Sequence, residues 1–258
     1  MIKEEFFLTN KSGIKIECQI DRFDTKEKQP IVFIAGGFGS DSKRGSAQQS
    51  WFETFQNIGY ATFRINFRGI GESEGSLSNA TVTAGLEDMR PALNYIWNAD
   101  WVDKTKIGLV GHSYGGGLVF FEAAKTSKLY KFLILLTARV DVQQRYEADK
   151  SINLEEWKKI GFIIYNGDKG PEKRDYSLYS DSLNYKPWDV AKNIKIPTLI
   201  IHGNKDETVP CDQSIRLHDL IKTSDLVILK GCKHQYHRCG FNDKLKEVIT
   251  DWMKKKNF

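Results

Sequence analysis

At 258 residues, with 40% hydrophobic and 28% charged side chains, the chain can bury one sizeable core, which excludes disordered, collagen-like and disulfide-stapled classes. The net charge of +5 is spread along the chain, and the one dense basic run, Lys254-Lys255-Lys256, is terminal, so nucleic acid is not expected as a partner. No apolar run approaches the roughly 20 residues of a spanning helix, the start of the chain lacks the regions of a signal peptide, and four cysteines (Cys18, Cys211, Cys232, Cys239) suit free thiols, so a cytoplasmic protein is expected.

Taken in order, Glu5 to Leu8 and the alternating Ile14, Ile16, Cys18 and Ile20 predict an antiparallel hairpin turning over Asn10 to Gly13. Short apolar runs follow at 31–34, 61–65, 107–110, 132–136, 198–201 and 226–229. They lack polar alternation, as strands buried on both faces do. Segments of helical length and period lie between them, at 82–97, 116–125, 213–221 and 244–252. The pattern predicts an α/β architecture: a mostly parallel sheet of about eight strands with helices on both faces. From about Val142 to Val190 no buried strand is evident. A structureless loop of that length would be unusual in a folded domain, so this interval reads as an inserted, helical subdomain or lid on a core made of 1–141 and 191–258.

The run Gly111-His112-Ser113-Tyr114-Gly115 places a GxSxG motif where the 107–110 strand ends and the next helix begins. That context matters more than the pattern itself. A serine on a sharp strand-to-helix turn has its hydroxyl exposed beside the helix N-terminus, and the flanking glycines leave room for the crowded backbone. Serine becomes a nucleophile only with a base to take its proton and an acid to orient that base. The acid candidate is Asp206, in the turn His202 to Pro210 after a strand. The base candidate is His234, in the loop after the next strand, at the sheet edge where ligands collect in open α/β folds. His237 is an alternative base and Asp141 an alternative acid, with Glu207 behind them. His202 and His218 read as ordinary structural histidines. Cys232, His234, His237 and Cys239 form a Cys/His cluster within eight residues, cramped for a tetrahedral metal site, and neither metal nor cofactor is expected. Gly69-Ile70-Gly71 with Gly75 is not spaced as a dinucleotide fingerprint and reads as a structural loop.

An oxyanion hole requires two N–H donors. Tyr114, directly after the serine, supplies one. The other is expected from the loop Ala35-Gly36-Gly37-Phe38-Gly39-Ser40, where a glycine lets the backbone approach a substrate closely. Here the sequence resembles the α/β-hydrolase superfamily, in particular its serine-aminopeptidase-like and cinnamoyl (feruloyl) esterase-like branch. The likeness covers the glycine loop, the loop from Asn66 to Gly75, the Gly111 to Gly115 elbow, the acid turn and the Gly231 to His234 loop. It implies Ser113, Asp206 and His234 as the catalytic set. The family's donor position falls on Gly37, but Ala35 replaces the usual histidine, which leaves Phe38 as an alternative donor.

The 142–190 interval carries Tyr146, Trp157, Phe162, Tyr165, Tyr176, Tyr179, Tyr185 and Trp188. Phe38, Trp157, Phe162 and Trp188 are expected to line an apolar acyl or aryl pocket. Acidic and basic residues alternate through the segment, so no site for a carboxylate or phosphate stands out. The expected activity is hydrolysis of a small-molecule acyl or aryl carboxylic ester through an acyl-enzyme, without cofactor. An acyl thioesterase uses the same machinery, and a binding or sensor protein could retain the fold without turnover. Peptidase activity would need an acidic cluster for a free amino terminus, and none is evident.

Overall fold

A computed structural model describes residues 1–41, 46–167 and 170–258. Strands β1 (Ile2–Thr9) and β2 (Lys15–Arg22) form the hairpin. Asn10 builds its turn by accepting from the amides of Ser12 and Ile14, and Gly13 takes the left-handed conformation there, at φ +81°. The body continues with β3 (Gln29–Ala35), α1 (Ser46–Asn57), β4 (Ala61–Ile65), α2 (Val82–Asn98), β5 (Val102–His112), α3 (Ser113–Thr126) and β6 (Phe132–Leu136). The next stretch holds α4 (Val142–Ala148), α5 (Leu154–Ile160), β7 (Phe162–Gly167), β8 (Gly170–Asp175), α6 (Ser177–Ser182) and α7 (Pro187–Val190). The body resumes with β9 (Thr198–Gly203), α8 (Cys211–Leu220), β10 (Ser224–Leu229) and α9 (Asn242–Lys255).

The sheet has eight strands in the order β1-β2-β4-β3-β5-β6-β9-β10. Strand β2 runs against both its neighbours and every other pair is parallel. Alternation within the strands explains why they read as continuous apolar runs. On β3, Ile31, Phe33 and Ala35 join a core shared with α2, α3 and α8, while Val32 and Ile34 face the core shared with α1 and α9. Strand β6 does the same, with Leu133 and Leu135 on one side and Phe132, Ile134 and Leu136 on the other. Fully buried side chains of this size contribute about 1.5–3 kcal/mol each.

From β3 the chain winds to β4 on one side, and β5 lies on the other, so the order reverses between β3 and β5. The loops leaving their carboxyl ends diverge there and leave a crevice. The glycine loop follows β3 and the serine follows β5, so topology alone brings both to that crevice. The 66–75 loop braces the same end of the sheet. Arg68 is buried against Asp88, with Nη2 to Oδ1 at 2.7 Å, and Asp88 also accepts from Asn10 Nδ2 at 2.8 Å.

The 142–190 segment departs from expectation. It is not purely helical, because β7 and β8 pair as an antiparallel hairpin. Exposure is the physical reason for the difference: Phe162, Ile164 and Ile160 stand 39%, 60% and 52% exposed, so no buried run marks the strands. The segment has its own small core of Tyr146, Trp157, Leu178 and Tyr179. Among the described residues, no helix is long and apolar enough to cross a membrane.

Candidate active site

Strand β5 passes into α3 without a loop, and Ser113 is the residue at the break. It has φ +53°, a left-handed conformation costly for a residue with a Cβ and held only where surrounding packing enforces it. The glycines beside it explain the enforcement. A Cβ on Gly115 would lie 2.4 Å from the carbonyl oxygens of Ala35 and Gly36, and one on Gly111 would lie 2.5 Å from Gly115 O. The Gly115 amide donates to Gly36 O at 3.0 Å, tying the elbow to the glycine loop.

Ser113 Oγ lies 2.9 Å from His234 Nε2, and His234 Nδ1 lies 2.7 Å from Asp206 Oδ2. Three side chains, from the elbow and two loops, thus form one hydrogen-bonded line. Asp206 Oδ1 accepts from the amides of Thr208 and Val209, both at 2.8 Å, which fixes the carboxylate within its turn. Burial pushes the Asp206 carboxyl up, but hydrogen bonds from His202 and His234 outweigh it and hold the group well below the usual carboxylate range. Burial lowers the pKa of His234, opposed by the hydrogen bond and charge of Asp206. The imidazole is therefore neutral at ordinary pH, the form that accepts a proton.

His202 was set aside in the sequence as structural, yet it is the second histidine on Asp206. Its Nε2 lies 3.1 Å from Asp206 Oδ2 and 3.0 Å from Val209 O, and its Nδ1 lies 2.7 Å from Ser214 Oγ. Its place in β9 (Thr198–Gly203), four residues ahead of the acid, carries no mark of that contact in the sequence. The alternatives lie elsewhere. His237 is exposed on a short 3-10 turn, Tyr236–Cys239. Asp141 caps α4 through Gln144 N and accepts from Trp188 Nε1. Glu207 faces solvent and pairs with Lys233. His112 lies with its ring 5.2 Å from that of His234, and burial, with the charge of His234, lowers its pKa to about 3. The Cys232 and Cys239 sulfurs lie 2.8 Å apart as free thiols.

The oxyanion candidates adjoin the hydroxyl. A Cβ built on Gly37 would stand 3.6 Å from Ser113 Cβ, so the Gly37 backbone runs beside the serine. Tyr114 is in the first turn of α3, where amides have no intrahelical acceptor. Phe38 packs edge-on against the Tyr114 ring at 5.7 Å.

The pocket expectations need correction. Trp157 is 0% exposed and donates from Nε1 to Arg174 O at 3.0 Å, so it lies in the inserted segment's own core. Phe162 lies on the exposed hairpin beneath the Lys173 ammonium, 4.9 Å from its ring centroid. Trp188 stacks under Arg216 and lines a polar cavity of about 420 Å³ together with Asp141, Gln144, Glu147 and Gln213. Ser113, Asp206 and His234 are not among the described residues of that wall. Of the four expected pocket residues, Phe38 is in the glycine loop and packs against Tyr114, the residue after the serine. Arg145 and Arg174 of the inserted segment come close enough to Arg139 for their charges to lower its pKa.

A serine at the turn from a central parallel strand into a helix, on a sheet of this order, defines the protein as an α/β hydrolase. Residues 46–257 match the prolyl oligopeptidase family, and the chain belongs to that family of hydrolases. A mitochondrial palmitoyl-protein thioesterase, ABHD10, of Rattus norvegicus is 28% identical over 83% of this chain and 70% of its own length. The counterpart in Bos taurus is 27% identical over 83% and 68%. Among solved structures, Est1E of Butyrivibrio proteoclasticus with ferulic acid bound superposes at a TM-score of 0.85, 24% identical, over 97% of this chain and 98% of that one. The mouse α/β hydrolase domain-containing protein 10 superposes at 0.79, 23% identical, over 98% and 99%. These structural likenesses establish the fold.

Proposed function

We propose that the protein is a serine hydrolase that cleaves a carboxylic ester through an acyl-enzyme, with Ser113 as nucleophile, His234 as base and Asp206 as the supporting acid. The observation that carries this reading is the line Ser113 Oγ, His234 Nε2 and Nδ1, Asp206 Oδ2, at 2.9 and 2.7 Å, starting from a serine at φ +53°. As Oγ bonds to the acyl carbon, its proton passes to His234 Nε2. Negative charge collects on the former carbonyl oxygen, beside the Tyr114 amide and the Gly37 backbone. Collapse of this intermediate breaks the bond to the alcohol, which leaves with the proton from Nε2. Water then attacks the acyl-enzyme with His234 again as base, releasing the acid and restoring Ser113. Asp206 stays ionised throughout and holds Nδ1–H in place.

The 142–190 segment acts as a cap on the crevice. In support, Arg174 lies over Phe38 of the glycine loop and Arg145 donates to Thr208 O in the acid turn, so both open edges carry contacts from it. The sequence likeness to a protein named as a palmitoyl-protein thioesterase favours a second reading, in which the scissile bond is a thioester.

Labelling by a fluorophosphonate, followed by peptide mapping, tests the nucleophile, with the label expected on Ser113 and absent in Ser113→Ala. Rates on matched oxygen esters, thioesters and amino-acid anilides then choose the bond. Label elsewhere overturns the assignment. Label on Ser113 with no turnover of any acyl compound would leave a binding protein on a hydrolase fold.

A further inference from the structure

Three arginines are tied to the elements around the serine, Arg139 through its backbone amide and Arg145 and Arg174 through their side chains, and the charge of Arg139 is felt by both Asp206 and His234. The Arg139 amide donates to Ser113 O at 2.9 Å, directly behind the nucleophile. Arg145 Nη1 donates to Thr208 O at 2.9 Å, in the turn that carries Asp206, and its Nη2 donates to Tyr165 OH at 2.6 Å. Arg174 lies 3.6 Å over the Tyr165 ring and 5.6 Å from the ring centroid of Phe38, in the glycine loop.

These guanidinium groups are poorly neutralised for their burial. Arg174 is 7% exposed and pairs with Glu172 at 3.2 Å, but its Nε is shut from solvent without an acceptor. Arg139 Nε is likewise enclosed without an acceptor, and among the described residues its side chain makes no hydrogen bond or ion pair. The charge of Asp206 acts on Arg139, but the Asp206 oxygens are already taken by the two histidines and the amides of Thr208 and Val209. Asp149, within reach of the charges of Arg145 and Arg174, accepts from Ser151 N and Oγ. Burial and the charges of Arg145 and Arg174 pull Arg139 down to about 10, yet it remains a cation at neutral pH. A guanidinium presents five donors in a planar fork, and an enclosed donor without an acceptor is costly. Carboxylate and phosphate oxygens satisfy that fork best.

We propose that the substrate of this site carries an anionic group, a carboxylate or a phosphate, which Arg139 binds with support from Arg174 while the scissile bond meets Ser113. The placement of the bond rests on the serine hydrolase reading. The binding of the anion does not. In this arrangement Arg139 discriminates among esters by charge, and the anion also replaces the acceptor that the protein itself does not offer the guanidinium.

The kinetic test compares phenyl butyrate, which is neutral, with phenyl hydrogen glutarate, 4-carboxyphenyl butyrate and 4-phosphonophenyl butyrate. In the wild type at least one anionic ester should exceed phenyl butyrate in kcat/KM by about tenfold or more, the size of one charged hydrogen bond. That ratio should collapse in Arg139→Gln, persist in part in Arg139→Lys, and fall with added salt. Comparing each ester between wild type and variant cancels its intrinsic reactivity, and the carboxylate and phosphonate arms identify the anion. Anionic esters at or below phenyl butyrate, or a preference that Arg139→Gln and Arg174→Gln both leave unmoved, would overturn the proposal. Calorimetric titration with glutarate and with inorganic phosphate needs no turnover. Saturable binding weakened about tenfold in Arg139→Gln supports the anion site even if no ester is cleaved, whereas no saturable binding of either overturns it. Failure to turn over phenyl butyrate together with failure of fluorophosphonate labelling counts against the hydrolase reading alone.

Discussion

The body of the sheet and the inserted 142–190 segment use aromatic and apolar side chains in opposite ways. In the body, the central strands β3, β5, β6 and β9 send alternate residues to two large cores, and the elbow and two loops that carry Ser113, Asp206 and His234 follow strands of that sheet. The segment packs a small aromatic core of four buried residues and leaves Ile160, Phe162 and Ile164 largely exposed. A scaffold of the first kind keeps reacting groups within fractions of an ångström. One of the second kind has few buried contacts, the property that marks regions of low local stability. The groups of the proposed chemistry therefore hang from the body, and the segment adds contacts to the loops beside them through Arg145 and Arg174.

The largest effect that could break this division is at the nucleophile. Ser113→Ala and His234→Ala should each lower kcat/KM by at least about a thousandfold, and the double variant by little more, because the two act as a unit. Thermal unfolding of Ser113→Ala should remain close to that of wild type, since alanine keeps the elbow's size. A residual rate above that level would assign the chemistry to another group.

Next comes His202→Gln, which removes an imidazole from Asp206 while keeping a polar side chain. A loss of about ten- to a hundredfold in kcat, with KM little changed, is expected from a positioning residue this close to the acid. A structural role alone would lower stability and leave the pH profile in place. If His202 orients Asp206, the carboxylate supports the His234 imidazolium less well in the variant. The His234 pKa then falls further, and the acid limb of kcat/KM moves to lower pH.

Trp157→Ala probes the segment. Deleting a fully buried tryptophan costs about 3–5 kcal/mol where the site cannot collapse, here confined to the segment's own core. Limited proteolysis within 142–190 should increase markedly. Rates on acetyl, butyryl, octanoyl and aryl esters should fall by a similar factor, because Trp157 reaches none of them. A selective loss for one acyl group would restore Trp157 to the pocket and blur the two regions.

The smallest expected effect is in the wild-type pH profile. Burial lowers the His234 pKa, so the imidazole is deprotonated, and active as a base, down to a pH below the ordinary histidine value of about 6.5. The rate should rise with pH through that depressed value and be flat above it. An inflection above 6.5 would mean that the Asp206 charge outweighs burial.

Much of the body was legible because its signals are local. Runs such as Phe132 to Leu136 are apolar on both faces, so burial is written into consecutive residues. The GxSxG spacing answers to steric limits among neighbours in sequence, shown by the 2.4 Å approach that any Cβ on Gly115 would make to the glycine loop. Strands β7 and β8 left no such mark, since an exposed hairpin obeys no burial period. The contact of His202 with Asp206 left no mark either, because a histidine near a strand end carries no sign of the carboxylate that folds back onto it.

The sequence by itself determined a parallel sheet wound with helices, a serine at a sheet-to-helix turn, and the order serine, acid, histidine. Each of these depends on residues a few places apart and on the periods of strand and helix. Only the tertiary structure decided what those groups meet. Ser113 and His234 are 121 residues apart, and Arg145 and Thr208 are 63. Whether such pairs touch depends on where strand order reverses and how loops diverge above it. Alternating acidic and basic residues along the inserted segment gave no sign that Arg145 and Arg174 come close enough to Arg139 to lower its pKa, because charges that cancel along a chain do not cancel in space.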